Sequence, residues 1–384
     1  MQRTTDPSLG NVAPSVGQSK LFQPLSLGHL TLANRILIAP MCQYSAQDGN
    51  ANDWHLMHYG SLAASGAGLL VLEATAVSAI GRISDADLGL YSDENQLALG
   101  RLLSSVRRFS SMPVAIQIAH AGRKASSDVP WRGAAQIAPD ALRGWMAEAP
   151  SAIPHAPGDV APASMSKEDL ARVREEFVAT AKRADALGFD GIEIHMAHGY
   201  LLHEFLSPLS NGRDDEYGGA LENRLRFPLE VFAAVRKAVS ADKPVWVRIS
   251  ATDWAEGGWD IEGSVELVSR LGELGCAAAH VSSGGLSTAQ QIPVQPGYQV
   301  GFAETIKQAT GIPTIAVGLI TEPNQAEHIV ASGQADAVAI GRAALFNPRW
   351  PWHAAASLGA QVDAPKQYWR SQPREYRDLF RTEA

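Results

Sequence analysis

Eight short apolar runs, rich in β-branched residues, recur along this chain, and longer amphipathic stretches separate them. That alternation constrains the fold more than any other feature. The runs are Arg35–Pro40, Gly68–Val77, Pro113–His120, Phe189–His195, Pro244–Ser250, Ala277–Ser283, Pro313–Gly318 and Ala335–Arg342. Apolar runs without inside–outside alternation suit strands buried on both faces of a parallel sheet. Between them, the stretch Ser166–Leu187 reads as a helix that Ser166 and Asp169 cap as a capping-box variant and Gly188 stops. Eight helix–stop–strand units predict a single-domain α/β fold of the (β/α)8 TIM-barrel type. An open doubly wound sheet would carry a glycine-rich nucleotide turn, and no GxGxxG follows the first run.

The bulk properties agree. The chain has 384 residues, 46% of them hydrophobic, which is ample for one large core. A formal net charge of −8 argues against nucleic acid as the main partner. No window approaches the roughly 18 uninterrupted apolar residues of a spanning helix, so no membrane partner is expected. The first 20 residues are polar, lack the apolar stretch of a secretory signal, and read as a flexible extension. Residues 21–360 read as the barrel and 361–384 as a C-terminal tail. Two cysteines, Cys42 and Cys276, make no disulfide framework and point to a reducing cytoplasm. The long segment Ala121–Pro162, rich in Ala, Pro, Gly and Trp, follows the third run and reads as a lid or functional loop on the catalytic face.

Barrel enzymes place their chemistry at the C-terminal ends of strands. Those positions hold Cys42 and Tyr44, Glu73 and Ala74, Gln117 and His120, His195, His198 and Tyr200, Arg248, Ser282–Gly285, Gly318, and Gly341–Arg342. His195 and His198 read either as two satisfied histidines or as neutral donors to a carbonyl or nitro oxygen. A zinc site is disfavoured because no third ligand stands at useful spacing and His203-Glu204 is not part of an HExxH motif, so no metal is expected. Tyr200 can give a proton to a carbon next to the polarised group. The loops after the seventh and eighth strands are the usual phosphate site of a barrel. There Gly318 and Gly341 admit backbone amides, and Arg342 adds charge. Cys42 reads as a small buried hydrophobe or as an active-site thiol, with nucleophilic chemistry open. Cys276 reads as core, and His55 and His58 as surface or interface residues on a helix.

The segment His195-Met-Ala-His198-Gly-Tyr200-Leu-Leu-His-Glu-Phe-Leu-Ser-Pro208 resembles the Old Yellow Enzyme family. The resemblance continues through Asn211-Gly-Arg213, Tyr217-Gly-Gly219 and Glu222-Asn223-Arg224. Ala39-Pro40-Met41-Cys42-Gln43-Tyr44 is similar to the thermophilic-like NADPH dehydrogenase and xenobiotic reductase branch, where a cysteine replaces a threonine. Carried over, the resemblance implies an FMN held by Ala39, Pro40, Met41, Cys42, Ala74, Gln117, Arg248, Gly318, Gly341 and Arg342. It implies that Cys42 tunes the flavin and is not a nucleophile. His195 and His198 would grip the substrate, Tyr44 would line its pocket, and Tyr200 would be the acid. The implied cycle is ping-pong: NADPH or NADH reduces FMN and leaves, and an activated alkene then takes hydride from flavin N5. Enones, enals, maleimides and nitroalkenes are the implied substrates. Gln367-Tyr368-Trp369-Arg370 resembles a tail that reaches a neighbouring subunit's site. That would make Trp369 and Arg370 substrate-side residues of a homodimer or homotetramer. A flavin-binding barrel without turnover, or one with a different acceptor, stands as the alternative.

Overall fold

A computed structural model describes residues 19–381. The expected flexible extension therefore lies outside the described residues up to position 18. Ser19 and Lys20 are held by the Glu327 carboxylate, which accepts from Ser19 Oγ at 2.6 Å and from the Lys20 amide at 2.8 Å.

All eight runs form strands, each shorter than its apolar run and the first, seventh and eighth half its length. They are β1 Ile36–Ile38, β2 Leu69–Ala76, β3 Val114–Ala119, β4 Gly191–Met196, β5 Val245–Ser250, β6 Ala279–Ser282, β7 Thr314–Ala316 and β8 Ala337–Ile340. Each pairs in parallel with its sequence neighbours, and β8 returns to β1, so the sheet closes into a barrel. Closure leaves no strand edge unpaired, and it is why the runs are apolar throughout: one face packs the lumen and the other the helices. A short antiparallel hairpin, Leu25–Leu27 with Leu30–Leu32, precedes the barrel and turns at Gly28, whose φ is +56°. Gly28 lies against Pro244 and Ala277, at the N-terminal ends of β5 and β6, so the hairpin closes the floor.

The principal helices around the barrel are α1 Asp53–Ala63, α2 Asp93–Arg107, α3 Lys167–Ala186, α4 Leu201–Leu206, α5 Leu221–Ala238, α6 Ile261–Glu273, α7 Val300–Thr310, α8 Pro323–Ala331, α9 Arg342–Phe346 and α10 Trp350–Leu358. Helix α3 starts where the capping pattern places it. Ser166 Oγ accepts the Asp169 amide, the Asp169 carboxylate accepts the Ser166 amide, and Gly188 follows with φ +80°. The segment after β3 is not a bare loop. It contains two short 3-10 turns and a two-strand ladder between Glu148–Ala149 and Ala163–Ser164. Arg143 binds Asp85 and Asp128 at 3.2 Å each, clasping this lid to the loop after β2.

One reading is corrected here. His55 is fully buried, not a surface residue: it completes the α1 cap with Asn52, and its Nε2 lies 3.7 Å from Glu73 Oε1. His58, beside it, is half-buried. Cys276 is core, as expected.

Candidate functional site

Two polar layers occupy the lumen. Gln117, Glu193 and Trp246 are register partners on β3, β4 and β5, so their side chains share one level. One level nearer the C-terminal mouth, His195, Arg248 and His280 are partners on β4, β5 and β6. Space for the lower layer comes from Gly191, where a Cβ would stand 2.4 Å from the Trp246 ring. Glu193 is fully buried and accepts from Gln117 Nε2 at 2.6 Å and from Trp246 Nε1 at 2.7 Å, with His280 Nδ1 at 2.8 Å. Burial opposes ionisation of Glu193, but His280 and Arg248 outweigh it and hold the carboxyl below its usual range.

Above this base the chain turns through His195–Tyr200 in a strained conformation. His198 has φ +58°, and Gly199, at φ +72°, leaves no room for a Cβ because the Gly285 carbonyl would be 2.4 Å away. Two groups pin the turn. Ser250 Oγ accepts the His198 amide at 2.9 Å, and Lys124 Nζ donates to the carbonyls of His198 and Gly285 at 2.9 and 3.0 Å. The Ala197 amide donates to His195 Nδ1 at 3.1 Å, so the proton of neutral His195 sits on Nε2. That nitrogen is 3.3 Å from His198 Nδ1, and His198 Nε2 is 2.8 Å from Ser282 Oγ. Burial first, and Arg248 second, hold the pKa of both imidazoles well below 6.5. The Tyr200 ring stands edge-on to His195 at 4.8 Å, with Lys124 Nζ 5.1 Å above it. Burial raises the Tyr200 phenol well above its ordinary value, so it carries its proton.

Ser282 also lines a cavity of about 250 Å³ at the C-terminal ends of β1 and β5–β8. Its walls include Ala39, Pro40, Met41, Arg248, Gly318, Gly341 and Arg342. Gly318, on this wall, has φ +123°, and a Cβ there would meet Gln299 Nε2 at 2.6 Å, so only glycine fits. Arg248 Nε is buried without a partner, a donor that a bound group would satisfy. Glycines on the wall, the Arg342 guanidinium and an orphaned Arg248 donor suit a phosphorylated, hydrogen-bonding cofactor such as FMN.

Cys42 and Tyr44 sit on the segment leaving β1, and a β-bulge fixes that segment. Register slips between Leu72 and Ala74 of β2 and leaves Glu73 as the extra residue. The Glu73 carboxylate accepts the Gln43 amide at 2.8 Å and the Tyr59 hydroxyl at 2.7 Å. Burial pushes its pKa up to about 8. Burial likewise raises the Cys42 thiol well above 9.0, with Asp87 and Glu73 adding to the shift, so the sulfur is a thiol and a poor nucleophile. Trp131 of the lid stands edge-on to Tyr44 at 6.0 Å and is largely exposed.

Most expected site residues thus converge on one mouth of the barrel. His120 is more of a scaffold: its Nδ1 accepts the Gly122 amide, and burial lowers its pKa to about 3. Trp369 and Arg370 do not converge. They lie on a 3-10 turn, Lys366–Ser371, and Trp369 lines a groove with Gly68, Pro113 and Met112 at the floor, where β2 and β3 begin. Sequence reasoning passed over Glu193, His280, Trp246, Lys124 and Gln299. The signal for the first two was present, because Glu193 and His280 are ionisable residues in the middle of otherwise apolar strands.

A closed parallel barrel with a phosphate-type cavity and a neutral histidine pair at its mouth defines a flavin-type oxidoreductase barrel. Residues 20–361 match the NADH:flavin oxidoreductase / NADH oxidase family, and the chain belongs to that family. It is 46% identical over 352 residues to an NADPH dehydrogenase of Geobacillus thermodenitrificans, covering 91% of this chain and 98% of that one. It is 44% identical over 355 residues to an NADPH dehydrogenase of Listeria innocua, covering 92% and 99%. Among solved structures, morphinone reductase superposes with a TM-score of 0.75 at 28% identity, covering 95% of this chain and 97% of that one. The Old Yellow Enzyme resemblance is borne out, and the chain is an NAD(P)H-dependent flavin oxidoreductase that uses FMN. Among the described residues no helix is long and apolar enough to cross a membrane.

Proposed function

We propose that the enzyme reduces the carbon–carbon double bond of small activated alkenes, namely enones, enals, maleimides and nitroalkenes. The observation that carries this reading is the ordered pair of neutral imidazoles, with a protonated phenol against the first ring. When bound, FMN would supply the two-electron hydride chemistry of a ping-pong cycle between NAD(P)H and the alkene's β-carbon. The protein supplies everything else. His195 and His198 each carry one N–H, at Nε2, and a bound carbonyl or nitro oxygen would draw these donors away from His198 Nδ1 and Ser282 Oγ. Because the rings are neutral, their donors polarise the alkene without placing a competing charge in the site. Tyr200 holds a proton beside this pair and gives it to the α-carbon as charge develops there. Lys124, above the phenol ring, stabilises the phenolate that remains. Tyr44 and Trp131 make an aromatic wall beside the site. Ala39–Cys42, Ala74, Gln117, Arg248, Gly318, Gly341 and Arg342 hold the cofactor.

The floor-side groove that Trp369 lines, with Arg370 on the same 3-10 turn, supports a site completed by a second copy of the chain, since that turn lies away from the mouth of its own barrel. Co-assembling inactive Tyr200→Phe chains with Arg370→Ala chains tests this. Partial recovery of activity supports completion in trans, and none argues against it.

The first experiment is anaerobic titration of the yellow protein with NADPH, followed by 2-cyclohexenone. The reading expects the flavin band to bleach and then to return. A band that bleaches and ignores every activated alkene tested would overturn it.

A further inference from the structure

Glu193 is a fully buried carboxylate in the barrel lumen beneath the site, held below its usual pKa range, and no step described above employs it. Its oxygens take N–H groups from three strands. Gln117 Nε2 occupies Oε1 at 2.6 Å, while Trp246 Nε1 and His280 Nδ1 share Oε2 at 2.7 and 2.8 Å. A carboxylate only accepts, so each of these contacts assigns a donor. For Gln117 the consequence is an amide with a defined direction. Its NH2 points down to Glu193, leaving the Oε1 acceptor free on the other side. For His280, Nδ1 carries the proton, and Nε2 is buried without a partner. Arg248 stands one layer above as His280's register partner; burial lowers its pKa, and Glu193 is the foremost charge opposing that shift.

We propose that Glu193 is a positioning residue of the flavin cradle: held by Trp246 and His280, it fixes the Gln117 amide with its oxygen toward the cofactor and serves as the buried counter-charge of Arg248. The oxidised isoalloxazine ring carries a single N–H, at its imide nitrogen, so an outward acceptor on Gln117 selects that edge. A glutamine free to turn would offer either its oxygen or its NH2 and would lose the selection. The counter-charge has a second effect. A fixed negative charge beneath the ring opposes the negative charge that reduction adds, and so lowers the tendency of the flavin to be reduced. The inference concerns the cradle alone and holds whichever acceptor the enzyme reduces.

The test uses apoprotein titrated with FMN and with its N3-methyl analogue, followed by flavin fluorescence, for wild type and Glu193→Gln. Wild type is expected to bind the methylated flavin about tenfold or more weakly, the cost of one lost and unsatisfied hydrogen bond. E193Q is expected to bind FMN about tenfold more weakly and to discriminate little between the two flavins. Its midpoint potential, measured by dye equilibration, is expected to move positive. A residue that merely supported the fold would alter neither the discrimination nor the potential. Should E193Q fail to fold, His280→Gln frees the carboxylate from its far-side partner and carries the same expectation for discrimination. Wild-type discrimination in every folded variant, or an unchanged potential in folded E193Q, overturns the proposal.

Discussion

His195 Nε2 lies 3.3 Å from His198 Nδ1, and the first ring has only that nitrogen left to carry its proton, because its Nδ1 accepts the Ala197 amide. A backbone N–H thus sets the tautomer of a residue two positions earlier and passes direction to the next ring and on to Ser282. Both imidazoles are held well below 6.5 by burial, so this arrangement stays neutral across the working range. Enone binding to the oxidised enzyme should therefore show no inflection near pH 6.5, as read from flavin difference spectra between pH 5.5 and 8. An inflection there that disappears in His198→Ala would show that the rings titrate after all. Loss of one donor in His198→Ala should slow alkene reduction by roughly 10²–10³-fold.

Tyr200→Phe removes the phenol proton and leaves the ring against His195. Alkene-dependent reoxidation should fall by roughly 10²–10⁴-fold, the usual worth of a positioned acid, while flavin reduction by NADPH changes little. Stopped-flow absorbance separates the two half-reactions. An equal loss in both would remove the acid role from Tyr200.

Cys42→Ala should retain turnover and shift the flavin potential. The buried thiol has its pKa raised and so holds its proton, which leaves it unsuited to attack. Complete inactivation with FMN still bound would restore the nucleophile reading.

Arg342 and Gly318 lie on the cavity wall after β8 and β7. Arg342→Ala should weaken FMN about tenfold or more while leaving riboflavin affinity unchanged, because only the phosphorylated ligand engages the guanidinium. Gly318→Ala should weaken both flavins, since its Cβ meets Gln299 in a left-handed conformation that costs on the order of 1–3 kcal/mol. Equal losses of FMN and riboflavin in Arg342→Ala would move the phosphate elsewhere.

Glu204 is fully buried, accepts the Arg123 amide at 2.8 Å, and is pushed up to about 8 by burial. Its folded pKa lies above the unfolded one. Its contribution to stability is therefore complete below about 4.5 and declines as pH rises toward 8, because the unfolded chain ionises first. Glu204→Gln cannot ionise and should gain on wild type, by on the order of a few kcal/mol, between pH 5 and pH 8.5. Urea unfolding at the two values measures the difference. A constant difference would mean that Glu204 is ionised in the folded protein.

Much of the architecture was legible because burial on both faces writes itself as apolar runs, and all eight runs became strands. The capping pair Ser166 and Asp169 marked the start of α3 for the same local reason: both partners lie within one turn. The His195–Tyr200 motif was legible too, since its residues are contiguous. What was not legible depends on contacts between distant segments. His55 stands in a polar stretch that resembles a surface helix, yet the Glu73 bulge, 18 positions away, buries it. Lys124 was passed over because only closure of the barrel brings the His198 and Gly285 carbonyls to its ammonium group.

The sequence by itself determined the element order, the barrel class, the family and the candidate cluster His195, His198 and Tyr200, because periodicity and contiguous motifs are properties of neighbours along the chain. Only the tertiary structure decided which ring nitrogen of His195 carries a proton, which way the Gln117 amide faces, and where Trp369 and Arg370 lie. Hydrogen-bond direction in a buried lumen is set by donors and acceptors from different strands, and those strands meet only when the barrel closes.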